Sequence, residues 1–129
     1  MPYTVGWYDS DHSIILIRMI DPWTWDEFDT MVDETFAMLR TDNQIVHLID
    51  DHSRTTTYPM GATFPHWQRA LETLPQNVGL IVQVDTARLA RTMTTVFKQV
   101  MPRDLSRRVH SVATLDNALD LIGEYSNEI

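Results

Sequence analysis

The sequence predicts a single α/β domain with a mostly parallel central sheet and helices packed against it. Short apolar runs of strand length alternate with longer segments in which apolar residues recur at helical intervals. No internal repeat or low-complexity linker interrupts this alternation. A chain of 129 residues suits one domain with a core of its own, so we expect residues 1–129 to form one folding unit.

The N-terminal part predicts a hairpin, a helix and a strand. Residues 3–8 and 13–20 are rich in β-branched and aromatic side chains, and the polar residues between them supply turn chemistry. In the next segment Thr24 and Glu27 have the spacing of a capping box, and apolar residues recur at helical intervals. Residues 44–50 are a short apolar run that predicts the third strand.

The middle of the chain predicts a helix, a strand and a second helix. The first helix has about ten residues, with Pro65 in its first turn and its end near Leu74. Residues 77–84 predict a buried strand, after which Asp85 or Thr86 can cap the next helix. The apolar stripe of that helix consists of Leu89, Met93, Val96, Phe97 and Val100.

The chain closes with one more strand and one more helix. Pro102 marks the end of the preceding helix, residues 108–113 predict the strand, and Thr114 is a cap for the final helix. The predicted order is β-β-α-β-α-β-α-β-α. Because each strand after the hairpin is followed by a helix, we expect a mostly parallel sheet.

Composition excludes several classes of function. Ten basic residues against eighteen acidic ones give a net charge of -8, which argues against nucleic acid or an anionic membrane as partner. The absence of cysteine excludes disulfides, thiol catalysis and thiolate zinc sites. The longest apolar run, Ile14 to Ile20, is short and broken by Arg18, and the N-terminus lacks a signal-like pattern. We expect a cytoplasmic protein without a membrane span.

The strongest candidate site lies at the carboxyl ends of the third and fourth strands, where ligands gather in open α/β sheets. Its candidate residues are Asp50, Asp51, His52, Ser53, Arg54, Asp85, Thr86 and Arg88. If the two strands are neighbours, these side chains form a polar cleft. The alternative is that they are loop and cap residues that bond local backbone groups.

A phosphorylation switch and a metal site are two further hypotheses for this segment. Ser53 and the threonines at 55–57 offer hydroxyls ahead of a helix, with Arg54 beside them, although threonine there is also ordinary capping. A metal site would use the ligands His47, Asp50, Asp51 and His52, with His66 as an addition. Strand alternation places His47 and Asp50 on opposite faces, so we expect no metal there.

The order of elements and several segments resemble the STAS or SpoIIAA-like family over nearly the whole chain. The segments are WTWDEF opening the first helix, LIDDHS closing the third strand, NVGLIVQV as the fourth strand and VATLDNALDLI at the end. The resemblance implies a STAS-like fold. In that family's anti-anti-sigma factors, an aspartate and a phosphorylatable serine lie between the third strand and the second helix, so the resemblance points to Ser53. The family's compact Asp-Ser-Ser-Gly pattern is absent, and the sequence is closer to the uncharacterised SpoIIAA-like branch.

From these observations we expect a non-enzymatic regulatory or interaction module without a cofactor. It would bind a protein partner or a small ligand near the loop after the third strand. The alternative, suggested by lipid-binding relatives of this architecture, is a carrier of an apolar, lipid-like molecule between sheet and helices. Its candidate lining, for which core burial is the other interpretation, is Trp23, Trp25, Phe64 and Trp67. A weaker hypothesis is a hydrolase that uses Ser53 and His52. A homodimer formed through an aromatic patch is a further expectation.

Overall fold

The computed structural model describes residues 2–55, 59, 63–85, 94–96 and 98–127. The strands are β1 (Tyr3–Trp7), β2 (Ile14–Ile20), β3 (Val46–Arg54), β4 (Val78–Val84) and β5 (Val109–Val112). The helices are α1 (Trp25–Arg40), α2 (Thr63–Glu72), α3 (Arg103–Ser106) and α4 (Leu115–Asn127). Residues 94–96 and 98–100 are also helical and fall in the predicted third helix, whose predicted caps Asp85 and Thr86 precede them.

The strands form one five-stranded sheet in the order β1-β2-β3-β4-β5. β1 pairs antiparallel with β2, with Tyr3 opposite Met19 and Trp7 opposite Ile15. The remaining pairs, from β2 through β5, are parallel. The predicted α/β class and the mostly parallel sheet are therefore confirmed.

The side chain of Asp9 closes the turn between β1 and β2. Its carboxylate accepts hydrogen bonds from the backbone N–H groups of Ser13, at 3.0 Å, and Ile14, at 3.2 Å. His12 in the same turn has a φ of 56°, which is uncommon for a residue other than glycine. Its ring stacks on Trp7 with the centroids 4.2 Å apart. The predicted hairpin is thus held by its own turn residues.

Helix α1 begins with the predicted capping box. Oγ1 of Thr24 accepts a hydrogen bond from the backbone N–H of Glu27 at 3.1 Å, and Oε1 of Glu27 accepts one from the backbone N–H of Thr24 at 2.9 Å. Together these bonds satisfy two backbone donors near the helix start. The buried side of α1 consists of Trp25, Phe28, Met31, Val32, Thr35, Phe36 and Leu39.

The sheet separates two apolar clusters. Helices α1 and α2 cover one face, where the buried side chains of α1 meet Ile15, Ile17 and Leu48, and Trp67 packs against them. Helix α4 covers the other face, where Ala118 and Ile122 meet a separate set of strand residues. That set comprises Ile14, Ile49, Leu80, Val82 and Val84. We call these two sides the α1/α2 face and the α4 face.

Charged side chains join α1 to α2 above the first cluster. Nδ1 of His66 lies 3.0 Å from both carboxylate oxygens of Asp29. Arg69 lies 3.8 Å from Asp29 and 3.3 Å from Asp33. The ring of His66 also stacks on Trp25, with centroids 5.0 Å apart. These contacts hold α2 beside α1 on the same face.

Two details of the predicted elements are wrong. β3 continues to Arg54, because its ladder with β2 extends past the apolar run and pairs Arg18 with Asp51 and Ile20 with Arg54. The residues from Asp51 to Arg54, which were predicted to follow the strand, are therefore part of it. In addition, the short helix α3 was not predicted.

The predicted apolar stripe of the third helix is also wrong in its described part. Val96 is 46% exposed and Val100 is 75% exposed. Instead, Thr94 is buried, and its hydroxyl donates to Oε1 of Gln83 at 3.0 Å. A buried amide needs a hydrogen-bond partner, so this helical turn presents Thr94 to the sheet at the expense of the two valines.

Candidate ligand-binding site

The carboxyl ends of β3 and β4 lie side by side. Asp50 is opposite Gln83, and Asp51 is opposite Val84. Asp85 follows β4 directly and is only 1% exposed. The two groups of candidate residues are thus neighbours, as a polar cleft requires. Thr86 and Arg88 lie outside the described residues.

Strand alternation divides the candidate residues between the two faces of the sheet. Leu48 belongs to the cluster of the α1/α2 face and Ile49 to that of the α4 face. Because successive side chains of a strand point to opposite faces, Asp50 and His52 lie on the α1/α2 face. Asp51 and Ser53 lie on the α4 face, which separates Ser53 from His52.

His52 is the centre of the polar group on the α1/α2 face. It is fully buried, and its Nε2 forms an ion pair with Oδ2 of Asp50 at 2.9 Å. Burial by itself would lower the pKa of His52, but the charge of Asp50, the hydrogen bond to it and the charges of Asp85 and Asp51 outweigh burial and raise the pKa. The folded chain therefore binds this proton more tightly than an unperturbed histidine does.

Trp23 covers His52 and ties the end of β3 to β2. Its ring meets that of His52 edge to face, with centroids 5.9 Å apart. Its Nε1–H donates to Oγ1 of Thr55 at 3.1 Å, and that hydroxyl donates to the carbonyl of Met19 at 3.3 Å. Trp23 thus places an apolar ring against one side of His52, and the bond to Thr55 holds that ring in position.

The α4 face carries a different arrangement. Nε of Arg18 lies 3.6 Å from Oδ2 of Asp51, whose Oδ1 accepts a hydrogen bond from the backbone N–H of Ser53 at 2.9 Å. Ser53 and Arg54 are exposed. The two residues are therefore accessible to a partner or a modifying enzyme, whereas His52 is not.

A row of polar side chains crosses the α1/α2 face of the sheet. Asp50 is opposite Gln83, and Gln83 is opposite Ser111 of β5. Thr94 reaches this row from above through its bond to Gln83. Hence the polar residues form a continuous strip beneath the helices.

A cavity of about 110 Å³ lies beside this strip, between the sheet and helices α1 and α2. Its polar lining is Thr35, Asp50, Gln83 and Thr94. Its apolar lining is Ile17, Phe28, Met31, Val32, Phe36, Leu48, Trp67, Ala70, Leu71, Leu74, Ile81, Met101 and Val109. The arrangement can hold a small apolar body with its polar group toward β3 and β4.

The predicted aromatic lining is distributed differently. Trp67 lines the cavity, whereas Trp23 and Trp25 are buried in the adjoining core. The side chain of Phe64 lies outside the described part of the structure. Sequence reasoning missed Gln83 as a lining residue, although it is the one polar side chain in the apolar run VGLIVQV and that contrast was a usable signal.

The proposed metal ligands have other partners. The ring of buried His47 faces Tyr125 of α4, and its Nδ1 accepts a hydrogen bond from the backbone N–H of Leu80 at 2.9 Å. His66 is engaged by Asp29. Among the residues that the structure describes, no group of three or more histidine, aspartate or glutamate side chains is placed to hold a metal ion.

Comparison of the chain with models of known protein families gave no match. Comparison with curated proteins also gave no match. Within the described ranges, none of the helices has both the length and the apolar character needed to cross a bilayer.

Proposed function

We propose that the chain is a non-enzymatic regulatory module of STAS or SpoIIAA-like type that binds a small, mainly apolar molecule between its sheet and helices α1 and α2. The observation that carries the proposal is the cavity of about 110 Å³ with apolar walls and few polar groups. Small-molecule sites typically have a lining of this kind, with mostly apolar walls and a small number of polar groups. The element order and the mostly parallel sheet support the STAS-like assignment.

The size of the cavity limits the ligand. An apolar cavity of about 150 Å³ in another protein holds benzene, which has six heavy atoms. The cavity of about 110 Å³ is smaller, so it suits about four or five heavy atoms. A long lipid chain would not fit inside it. If the protein is a carrier, its cavity can enclose a short ligand or the end of a longer one.

An NMR titration with 1-butanol tests the proposal. We expect saturable amide shifts around Trp67 and Gln83, both of which line the cavity. Ala70→Leu adds a side chain inside the cavity and should abolish the shifts. Ala37→Leu makes the same change at an exposed position of α1 and should leave them intact. Absence of saturable shifts in the unaltered chain, or full binding by Ala70→Leu, would contradict the proposal.

A second candidate function is regulation of a protein partner through Ser53. The observation that favours it is that Ser53 and Arg54 are both exposed where β3 ends. A phosphate on Ser53 would add negative charge on the α4 face, where the guanidinium of Arg18 lies 3.6 Å from Asp51. The resemblance to the STAS family points to the same serine.

Native mass spectrometry of the protein from its own host tests this candidate, because it detects an added phosphate directly. In pull-downs, Ser53→Asp and Arg54→Ala should each change the retained partner. Ser10→Asp introduces the same charge at an exposed turn position and serves as control. An unmodified Ser53 together with identical partners for all variants would refute the candidate.

A further inference from the structure

The two carboxylate oxygens of Asp50 have different surroundings. Oδ2 pairs with His52 at 2.9 Å. Oδ1 is buried and accepts no hydrogen bond from the residues that the structure describes. Leaving a buried acceptor unsatisfied costs more than a hydrogen bond normally contributes, so such atoms generally have a partner. A ligand is one source of the missing donor.

Asp50 is placed to receive that donor from the cavity, because it lines the cavity together with Gln83 and Thr94. The oxygen of Gln83 is already occupied by the hydroxyl of Thr94 at 3.0 Å. The side chain of Asp50 is 21% exposed as a whole, but Oδ1 is buried, so its donor has to come from a group held inside the protein. A polar group of a ligand can therefore reach Oδ1 while the apolar part occupies the interior.

We propose that the molecule bound in this cavity is a short primary amine, whose ammonium group donates to Oδ1 of Asp50. Its alkyl part contacts the apolar walls formed by α1, α2 and the sheet. This inference rests on the proposed function of the cavity and adds the chemistry of its ligand.

The charges around the cavity favour an ammonium over other head groups. An ionised carboxylate only accepts hydrogen bonds, and an ammonium donor adds the attraction between opposite charges to such a bond. No lysine or arginine is among the described lining residues. Oδ2 of Asp50 is already paired with His52, and the carboxylate of Asp85 adds further negative charge near this pair. Asp51 is paired with Arg18 on the α4 face. A carboxylate ligand would meet repulsion from Asp50 itself.

The test compares butylamine, 1-butanol and butyrate, which share an alkyl chain and differ in the head group, by NMR titration at neutral pH. We expect butylamine to bind about tenfold more tightly than 1-butanol, because both can donate a hydrogen bond to Asp50 but only the ammonium also carries a charge opposite to that of the carboxylate. Butyrate should give no saturable shifts. Asp50→Asn should weaken the affinity for butylamine about tenfold and change the affinity for 1-butanol by less than about threefold. Asp33→Asn removes an exposed carboxylate of α1 outside the cavity lining and should change neither.

The outcomes separate this inference from the proposed function. The amine assignment would be overturned if butyrate or 1-butanol bound as tightly as butylamine, or if Asp50→Asn left the affinity for butylamine unchanged. In either case, saturable binding of 1-butanol would still support the proposed function of the cavity. Binding by none of the three probes would overturn both. The comparison of probes in the unaltered chain decides the head group even if Asp50→Asn does not fold.

Discussion

The carboxylate of Asp50 and the imidazole of His52 meet at 2.9 Å on one face of β3. Side chains two positions apart on a strand share a face, so the strand backbone itself holds the two groups together. Trp23 packs over the imidazole. The pair is thus fixed from below by the sheet and from the side by an indole ring, with the cavity next to Asp50.

This pair predicts that stability falls as the pH rises above the usual histidine range. The pKa of His52 is raised from 6.5 in the folded chain, so the folded state binds the proton more tightly than the unfolded state. Its contribution is complete below pH 6.5 and is lost as the pH rises through the folded-state pKa. Urea unfolding at a series of pH values above 6.5 measures this loss.

Asp50→Asn should flatten that slope, since Asp50 makes the largest contribution that raises the pKa. Asp33→Asn removes an exposed carboxylate from α1 and should leave the slope in place. His47 and His110 have lowered pKa values, mainly through burial, so their contributions are lost as the pH falls below 6.5. An unchanged slope above pH 6.5 in Asp50→Asn would contradict the assignment.

Gly79→Ala should destabilise the chain by about 1–3 kcal/mol, because the added Cβ overpacks a filled space. It would lie 2.5 Å from the ring atoms Cε1 and Nδ1 of His47 and 2.9 Å from Ile45. His47 cannot move without losing its bond from Leu80. Urea unfolding measures the change in the free energy of unfolding.

Gly123→Ala is the matched control for this change. Gly123 lies in α4, and a Cβ there meets nothing within 4 Å. Alanine is the better helix former, so this variant should gain about 0.5–1 kcal/mol. Equal effects of the two alanines would show that space around Gly79 is not the determining factor.

Thr24→Ala should cost about 1 kcal/mol of stability through loss of the cap of α1. The hydroxyl of Thr24 accepts the backbone N–H of Glu27 at 3.1 Å, and alanine leaves that donor to water. Thr30→Ala removes an exposed hydroxyl that donates to the carbonyl of Asp26 within the helix and should cost little. Thermal unfolding of both variants tests this, and equal midpoints would count against a stabilising cap.

Two arginine truncations should differ in their effects on stability. Arg69→Ala removes a pair with Asp33 in which both side chains are about half exposed or more, so it should cost under about 1 kcal/mol and less in high salt. Arg18→Ala leaves Asp51, only 10% exposed, without its cation and should cost about 1–3 kcal/mol. Urea unfolding at low and high salt compares them. A larger loss of stability for Arg69→Ala than for Arg18→Ala would contradict this prediction.

The sequence predicted most of the fold because the decisive signals are local. The capping box at Thr24, the turn around Asp9 and the apolar periodicity of α1 act within a few residues of each other, and all are observed. The limits of β3 were not predictable from its apolar run. They depend on pairing with β2, which continues beneath polar side chains as far as Arg54.

For the candidate site, the sequence predicted which strand ends carry polar residues but not which of those side chains share a face of the sheet. The carboxyl ends of β3 and β4 are neighbours, but alternation sends Asp50 and Asp51 to different faces. The bond between Gln83 and Thr94 joins two elements and determines which side of the helical turn faces the sheet. Such a contact depends on tertiary packing and cannot be read from the sequence of one helix. Helical periodicity alone therefore predicted, wrongly, that Val96 and Val100 are buried.

The separation of the two apolar clusters has an optical consequence. The four tryptophans, at positions 7, 23, 25 and 67, belong to or pack against the cluster of the α1/α2 face, whereas Tyr125 packs against that of the α4 face. Indole emission therefore reports on one layer of the molecule. Detachment of α4 alone would leave that emission nearly unchanged. An unfolding curve followed by tryptophan fluorescence therefore describes the α1/α2 face, and hydrogen exchange of the amides in α4 is needed to follow the α4 face.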